Sequence, residues 1–178
     1  MNAYRALLDA LPSTTGMAFV IISHMNPDAQ SYLADLLSRR SRMPVKVAAH
    51  AMPIHADHVY VIPENSDLFI ENHAFKVVTP RAVRNNQIDL FLRSLAEAMG
   101  PNAIGVILTG YDGDGSDGCK QIKAKGGTTF AQDESAEVGG MPKSAQATGA
   151  VDFVLPVREI ATELDRMSRR HFAQLRRG

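Results

Sequence analysis

The chain has 178 residues, 45% of them hydrophobic and 21% charged, which suits a single globular domain over 1–178 and argues against long disorder. Nineteen basic and nineteen acidic residues cancel, which argues against a whole-chain electrostatic grip on nucleic acid or anionic lipid. One cysteine, Cys119, excludes an internal disulfide framework and a multi-cysteine zinc site. No apolar run approaches the roughly 18–20 residues that span a bilayer, and the first residues lack the cationic-then-apolar order of a signal peptide, so the expectation is a cytoplasmic protein without membrane insertion.

In chain order, Leu7, Leu8 and Leu11 share one helical face, and Pro12-Ser13 ends that helix. Residues 17–22 form a wholly apolar run, the pattern of a strand buried on both faces of a parallel sheet. Asn26-Pro27-Asp28 reads as a turn and the start of a helix with Tyr32, Leu33, Leu36 and Leu37 on one side. Residues 45–47, 58–62 and 67–70 predict short strands, and Glu71-Asn72-His73 a turn into 74–78. Together they read as a small antiparallel section with a hairpin. Residues 88–99 are amphipathic and end at Gly100-Pro101. A second apolar strand, 103–109, precedes a glycine-rich acidic loop over 110–118. Then come a helix holding Ile122 and Ala124, a strand at 128–131, a short helix from Met141-Pro142, a strand at 151–155 and a closing helix from about 157. Strand and helix in alternation imply a doubly wound α/β fold, mostly parallel, with helices on both faces. The basic end, 166–178, reads as a solvated helix terminus or a docking tail.

Such folds place chemistry at the carboxyl ends of strands, which singles out the loops after the two apolar strands. His24 ends the first of them, where an imidazole can reach a crevice and shuttle a proton near neutral pH. The second loop admits several readings. Asp112, Asp114 and Ser116 match the first EF-hand positions, but Asp117 stands where glycine is required and Lys123 where glutamate is required. Gly113, Gly115 and Gly118 spell a dinucleotide fingerprint with Asp133 at the ribose position, yet three aspartates would crowd a pyrophosphate. A carboxylate on this tight turn can instead accept an imidazole N–H and fix its tautomer. The plain alternative is that these are ordinary loop residues, with Asp112 and Asp117 as turn and cap. His55 and His58 are a weak metal signal, and Cys119 reads as a small buried residue. No cofactor or metal is implied.

The blocks around these residues resemble the catalytic domain of the chemotaxis protein-glutamate methylesterases, the CheB family. They are His24-Met25 after the apolar strand, His58-Val59-Tyr60-x-x-Pro63, the run from Ile107-Leu108-Thr109-Gly110 through Asp114-Gly115 to Gly118, Gly126-Gly127 through Asp133, Gly140-Met141-Pro142 and Gly149 to Asp152. Ile88-Asp89-Leu90-Phe91 is also similar to the methylesterase part of methylesterase–methyltransferase fusions. The resemblance implies hydrolysis of glutamyl methyl esters, with glutamine deamidation as a side activity, on the cytoplasmic helices of methylated chemoreceptors. It implies a Ser-His-Asp triad in which His24 is the base and Asp114 its orienter, with Gly110, Tyr111, Gly115 and Met141 beside them. Tyr111 stands where the family usually has methionine. The family's serine sits in a Gly-Ala-Ser-x-Gly-Gly turn after a strand that would precede residue 1. No such turn occurs in these 178 residues, Ser13 and Ser23 match no nucleophile position, and Ser116 in the acidic loop lacks a reason to be activated by a base on another strand end. A chain without that strand should carry a groove or an unpaired sheet edge, which invites homo-oligomers. A receiver or methyltransferase domain is the natural regulatory partner. The alternatives are an inactive receptor- or partner-binding module and, less favoured, a dinucleotide-binding domain.

Overall fold

In the computed structural model, which describes residues 2–24 and 32–177, two parallel three-stranded sheets and one hairpin are flanked by helices. Helix α1 (Asn2–Ala10) leads to β1 (Phe19–Ile21), α2 (Leu33–Ser38), β2 (Val45–Val47) and β3 (Val59–Val61). The hairpin strands β4 (Asp67–Glu71) and β5 (Ala74–Val78) follow, then α3 (Gln87–Met99). The second half runs β6 (Ile104–Ile107), α4 (Ser116–Ala124), β7 (Thr128–Gln132), α5 (Gly140–Ala147), β8 (Phe153–Leu155) and α6 (Val157–Leu175). The turn expected at Asn26-Pro27-Asp28 lies outside the described residues.

The first sheet has the order β1-β3-β2 and the second β6-β7-β8, all neighbours parallel. Among the described strands, β4 and β5 are the antiparallel pair, paired from Asp67–Val78 to Glu71–Ala74. This corrects the expectation that 45–47 and 58–62 belong to the antiparallel section. Strands of three residues carry too little alternation to declare their partner. Helix α2 joins β1 to β2, and both lie parallel to β3 between them.

Alternate side chains of each sheet enter opposite cores. Ile21, Val59, Val61, Leu108 and Phe130 pack beneath α1, α2 and α6, with Leu7, Leu8, Leu11, Leu33, Leu37, Ile160 and Leu164. Ile107 and Ala103 face α3, α4 and α5 through Ile88, Leu92, Cys119, Ile122 and Ala145. Tyr60, Ile62, Leu68, Phe75 and Phe91 join the hairpin to the first sheet. Tyr32, expected on the packed side of its helix, is exposed.

Among the described residues, β1 and β6 each pair on one side, and the gap between them is a cavity of about 960 Å³. Phe19, Val20 and Ile21 line one wall, and Ile104, Val106 and Ile107 the other. The groove explains a second departure. Residues 17–22 read as buried on both faces, but the strand is only 19–21, and Phe19 and Val20 are half-buried because they border open space.

Candidate active site

Both suspect loops leave the carboxyl ends of the strands that flank this slot. The β1 chain continues through Ile22 and Ser23 to His24. Tyr4 of α1 donates its hydroxyl to the Ile22 carbonyl at 3.3 Å and also bonds the Ser23 side chain. Burial pushes that phenol above its ordinary range, so it stays neutral and ties the strand end to α1.

On the opposite wall, the segment after β6 is pinned at several points. The Thr109 N–H donates to Gln132 Oε1 at 3.1 Å and the Gly110 N–H to the Val138 carbonyl at 2.9 Å. The Met141 N–H returns to the Gly110 carbonyl at 2.9 Å. Met141 is buried with its side chain against Gly110, where a Cβ would collide with its sulfur. Gly115 takes φ +96°, a conformation that side chains rarely adopt, and a Cβ there would lie 2.6 Å from Ile107 Cδ1. The chain therefore folds back sharply between Gly110 and Gly115 while Tyr111, at its crest, is exposed.

This fold-back delivers Asp114 to His24. His24 Nε2 donates to Asp114 Oδ2 at 2.6 Å, within the range of a charge-assisted bond. The imidazole is 17% exposed and the Asp114 side chain fully buried. Asp114 Oδ2 also accepts the Ile88 N–H at 3.0 Å, and Oδ1 accepts the Asp89 N–H at 2.8 Å. Burial pushes this carboxyl up, but the imidazole bond and the two amides outweigh it and hold the group below the ordinary carboxylate range. The bond to Asp114 raises the His24 pKa. Desolvation opposes that rise, and the charges of Asp114 and Asp112 reinforce it.

The two amides are orphan donors at the start of α3, so the orienting carboxylate also caps a helix. The arrangement is reciprocal. Asp89, in the first turn of α3, accepts the Gly115 N–H at 3.0 Å and the Gly118 N–H at 2.6 Å at the start of α4. Sequence reasoning missed Asp89. The available signal was an acid in the first turn of a predicted helix, within a block already seen to resemble the family. Burial, with the nearby charges of Asp114 and Asp117, leaves its carboxyl raised despite those two amides.

Other expectations change here. Asp117 is not the cap of α4; it pairs with Lys120 at 2.7 Å on the surface. Asp112 does form the expected turn, accepting the Asp114 N–H at 3.1 Å, but its second oxygen lies 3.2 Å from His24 Nδ1. Gly113, Gly115 and Gly118 do not open a phosphate site, because the Asp89 carboxylate already holds two amides there and would repel a pyrophosphate. Asp133, the supposed ribose acid, instead accepts the Ser135 N–H and hydroxyl. Cys119 is buried, and desolvation first, then Asp89 and Asp152, pushes its thiol to about 12, so it is no thiolate nucleophile. The Ser116 hydroxyl is buried and finds no hydrogen-bond partner among the described residues. Among those residues no group of histidine, cysteine and acids could hold a metal, so His55 and His58 stand as neighbouring rings 5.8 Å apart. No helix there is long and apolar enough to cross a membrane. Residues 166–175 of the basic end form the last turns of α6, with Arg166 and Arg169 paired to Glu163 and Asp165.

The geometry is a histidine held by a buried carboxylate where the loops after two parallel strands meet. The CheB methylesterase family model matches residues 1–164. A protein-glutamate methylesterase/protein-glutamine glutaminase of Burkholderia lata is 36% identical over 167 residues, covering 92% of this chain and 49% of that protein. A putative protein-glutamate methylesterase/protein-glutamine glutaminase of Leptospira interrogans is 32% identical over 178 residues, covering 98% of this chain and 92% of that protein. The crystal structure of the Thermotoga maritima CheB methylesterase catalytic domain superposes with a TM-score of 0.85 at 29% identity, covering 93% of this chain and 92% of that one. The chain spans about half the length of several curated relatives, the Burkholderia protein among them. With its helix-flanked parallel sheets, its hairpin and these matches, the chain belongs to the CheB methylesterase family.

Proposed function

We propose that this chain is the catalytic domain of a cytoplasmic protein-glutamate methylesterase. It hydrolyses glutamyl methyl esters, and glutamine amides as a side activity, on the cytoplasmic helices of methylated chemoreceptors. The observation that carries the reading is the buried His24–Asp114 pair, joined across the loops that follow β1 and β6. The names of the relatives supply the substrate class.

The steps follow from that pair. A serine hydroxyl attacks the ester carbonyl carbon while His24 takes its proton, and the Asp114 carboxylate stabilises the imidazolium. The tetrahedral intermediate expels the methoxy group, which takes the proton back from His24 and leaves as methanol. Water then attacks the acyl-enzyme with His24 again as base. Serine is restored and glutamate released, so ester and water become carboxylate and methanol. Asp114 is suited to this role because it remains ionised throughout the neutral range. We assign the serine to a Gly-x-Ser-x-Gly-Gly turn at the end of a strand seated in the slot between β1 and β6. The slot supports this placement because it reaches Ile22 and Thr109, which lead into the two loops.

The test is methanol release from a methylated receptor fragment by the domain joined to such a strand and turn. Turnover should appear, and His24→Ala should reduce it by on the order of 10⁴ or more. Undiminished turnover in His24→Ala refutes the role. A second reading is a binding module of the same fold, favoured because the ring's two partners among the described residues are both carboxylates. Methanol release above a blank by the 178 residues alone counts against it.

A further inference from the structure

His24 Nε2 is engaged by Asp114, so the only nitrogen left to take a proton from a nucleophile is Nδ1. That nitrogen lies 3.2 Å from Asp112 Oδ2. We propose that Asp112 is a positioning residue that latches His24 through Nδ1 and must release it before the ring can serve as base. The inference rests on the methylesterase reading.

An ionised carboxylate only accepts hydrogen bonds. A ring with a carboxylate on each nitrogen must therefore donate from both, which only the imidazolium can do. The latched arrangement is thus the charged, proton-loaded form, with its lone pair gone and its free edge covered. Such a ring cannot abstract a hydroxyl proton. The same geometry makes release feasible. Asp114 is fully buried and fixed by two amides of α3, whereas the Asp112 side chain is 34% exposed. Rotating the Asp112 carboxylate into water gives up the contact with Nδ1 and the turn bond from the Asp114 N–H, and leaves the bond between His24 and the Asp114 side chain intact. A nucleophile arriving at Nδ1 would take the place that the carboxylate leaves.

Among the described residues, the ionisable groups that act on the ring are the carboxylates of Asp114 and Asp112, with further acids behind them. Asp112 and Asp114 come from the loop after β6, Asp89 from α3 stands behind Asp114, and Asp117 lies on the first turn of α4. Tyr4 of α1 approaches the preceding residues as a neutral phenol. Neutralising Asp112 removes the one charge in contact with Nδ1 and should make His24 lose its proton at lower pH.

The test is an NMR titration of the His24 ring in the 178-residue chain and in Asp112→Asn, Asp112→Ala and Asp117→Asn. Both Asp112 variants should lower the midpoint by about 0.5–1 pH unit, and Asp117→Asn by less than about 0.2. Equal midpoints in parent and Asp112 variants, or an equal shift in Asp117→Asn, overturn the latch. In the domain joined to the strand and serine turn, Asp112→Asn should move the acid limb of the pH–rate profile down by the same amount. Turnover with an unmoved limb overturns the role of Asp112 alone. No turnover in the parent overturns the methylesterase reading and the role together, while the ring titration still reports the contact.

Discussion

Removing the Asp114 carboxylate should destabilise the fold as well as disable the base. Its two oxygens accept the Ile88 and Asp89 amides at 3.0 and 2.8 Å and the imidazole at 2.6 Å, within a fully buried side chain. Asp114→Ala leaves the two amides without acceptors, at about 1–3 kcal/mol for each that water cannot reach. Asp89 is half-buried, so its amide recovers part of that loss, and the total comes to about 3 kcal/mol. With a urea m-value of about 2 kcal/mol/M, the midpoint falls by about 1.5 M. Asp114→Asn keeps one acceptor oxygen and should cost about half as much, which guards against a variant that does not fold. The pH dependence separates the charge from the cap. His24 has a raised folded pKa, so its contribution is complete below about pH 6.5 and fades as pH rises through the folded value. Asp114 has a lowered one, so its contribution is complete above about pH 3.9 and fades as pH falls through the folded value. The pair thus stabilises most between these limits, and Asp114→Asn should flatten both arms. Urea titrations followed by circular dichroism across this range measure it. An Asp114→Ala midpoint within about 0.2 M of the parent, or an Asp114→Asn profile with the parent's pH slope, refutes the reasoning.

Three further outcomes follow from the same circuit and from the slot. Gly115→Ala forces a side chain into positive φ and toward Ile107 and Ile88, so thermal unfolding should show a loss of about 2–3 kcal/mol. Asp89→Ala frees the Gly115 and Gly118 amides and should cost about 1–2 kcal/mol. Asp89→Asn should cost less, because the raised carboxyl already gives up stability as it ionises with rising pH. The facing edges of β1 and β6 should drive self-association, seen as a mass that rises with concentration in light scattering. Val106→Lys, placing a charge on the slot wall, should suppress it, whereas a parent that stays monomeric at every concentration contradicts the edge argument.

The pattern of elements was legible because its carriers were long or strongly marked. The apolar runs at 17–22 and 103–109 announced the strands that bracket the site, and the breaks at Pro12 and Gly126 ended their helices where they end. Pairing was less legible. Val45–Val47 and Val59–Val61 are three-residue strands, too short for their own pattern to say whether they join parallel or antiparallel. His24 and the acidic loop stood out because apolar strands end just before them, but Asp114 was picked out from its neighbouring aspartates only by the family resemblance. The second partner of Asp112 could not be named, since one oxygen satisfies the turn that its sequence suggests while the other reaches 88 residues away. Asp89 was hidden for a related reason. An acid in a helix's first turn is ordinary, and nothing local says that its carboxylate caps a different helix.

That exchange of caps links stability to the site's geometry. Asp114, on the approach to α4, caps α3, and Asp89, on α3, caps α4, so the two helix starts hold each other and the imidazole hangs from one member of the pair. A buried carboxylate serving the base alone would need some other source of rigidity. Here the helix amides supply it, and they also keep the carboxyl ionised against the cost of burial. The orientation of His24 is therefore fixed through Asp114 by the junction of α3 and α4. Asp112, tied to this junction by a single turn amide and open to water, is the member of the site that can move without disturbing it.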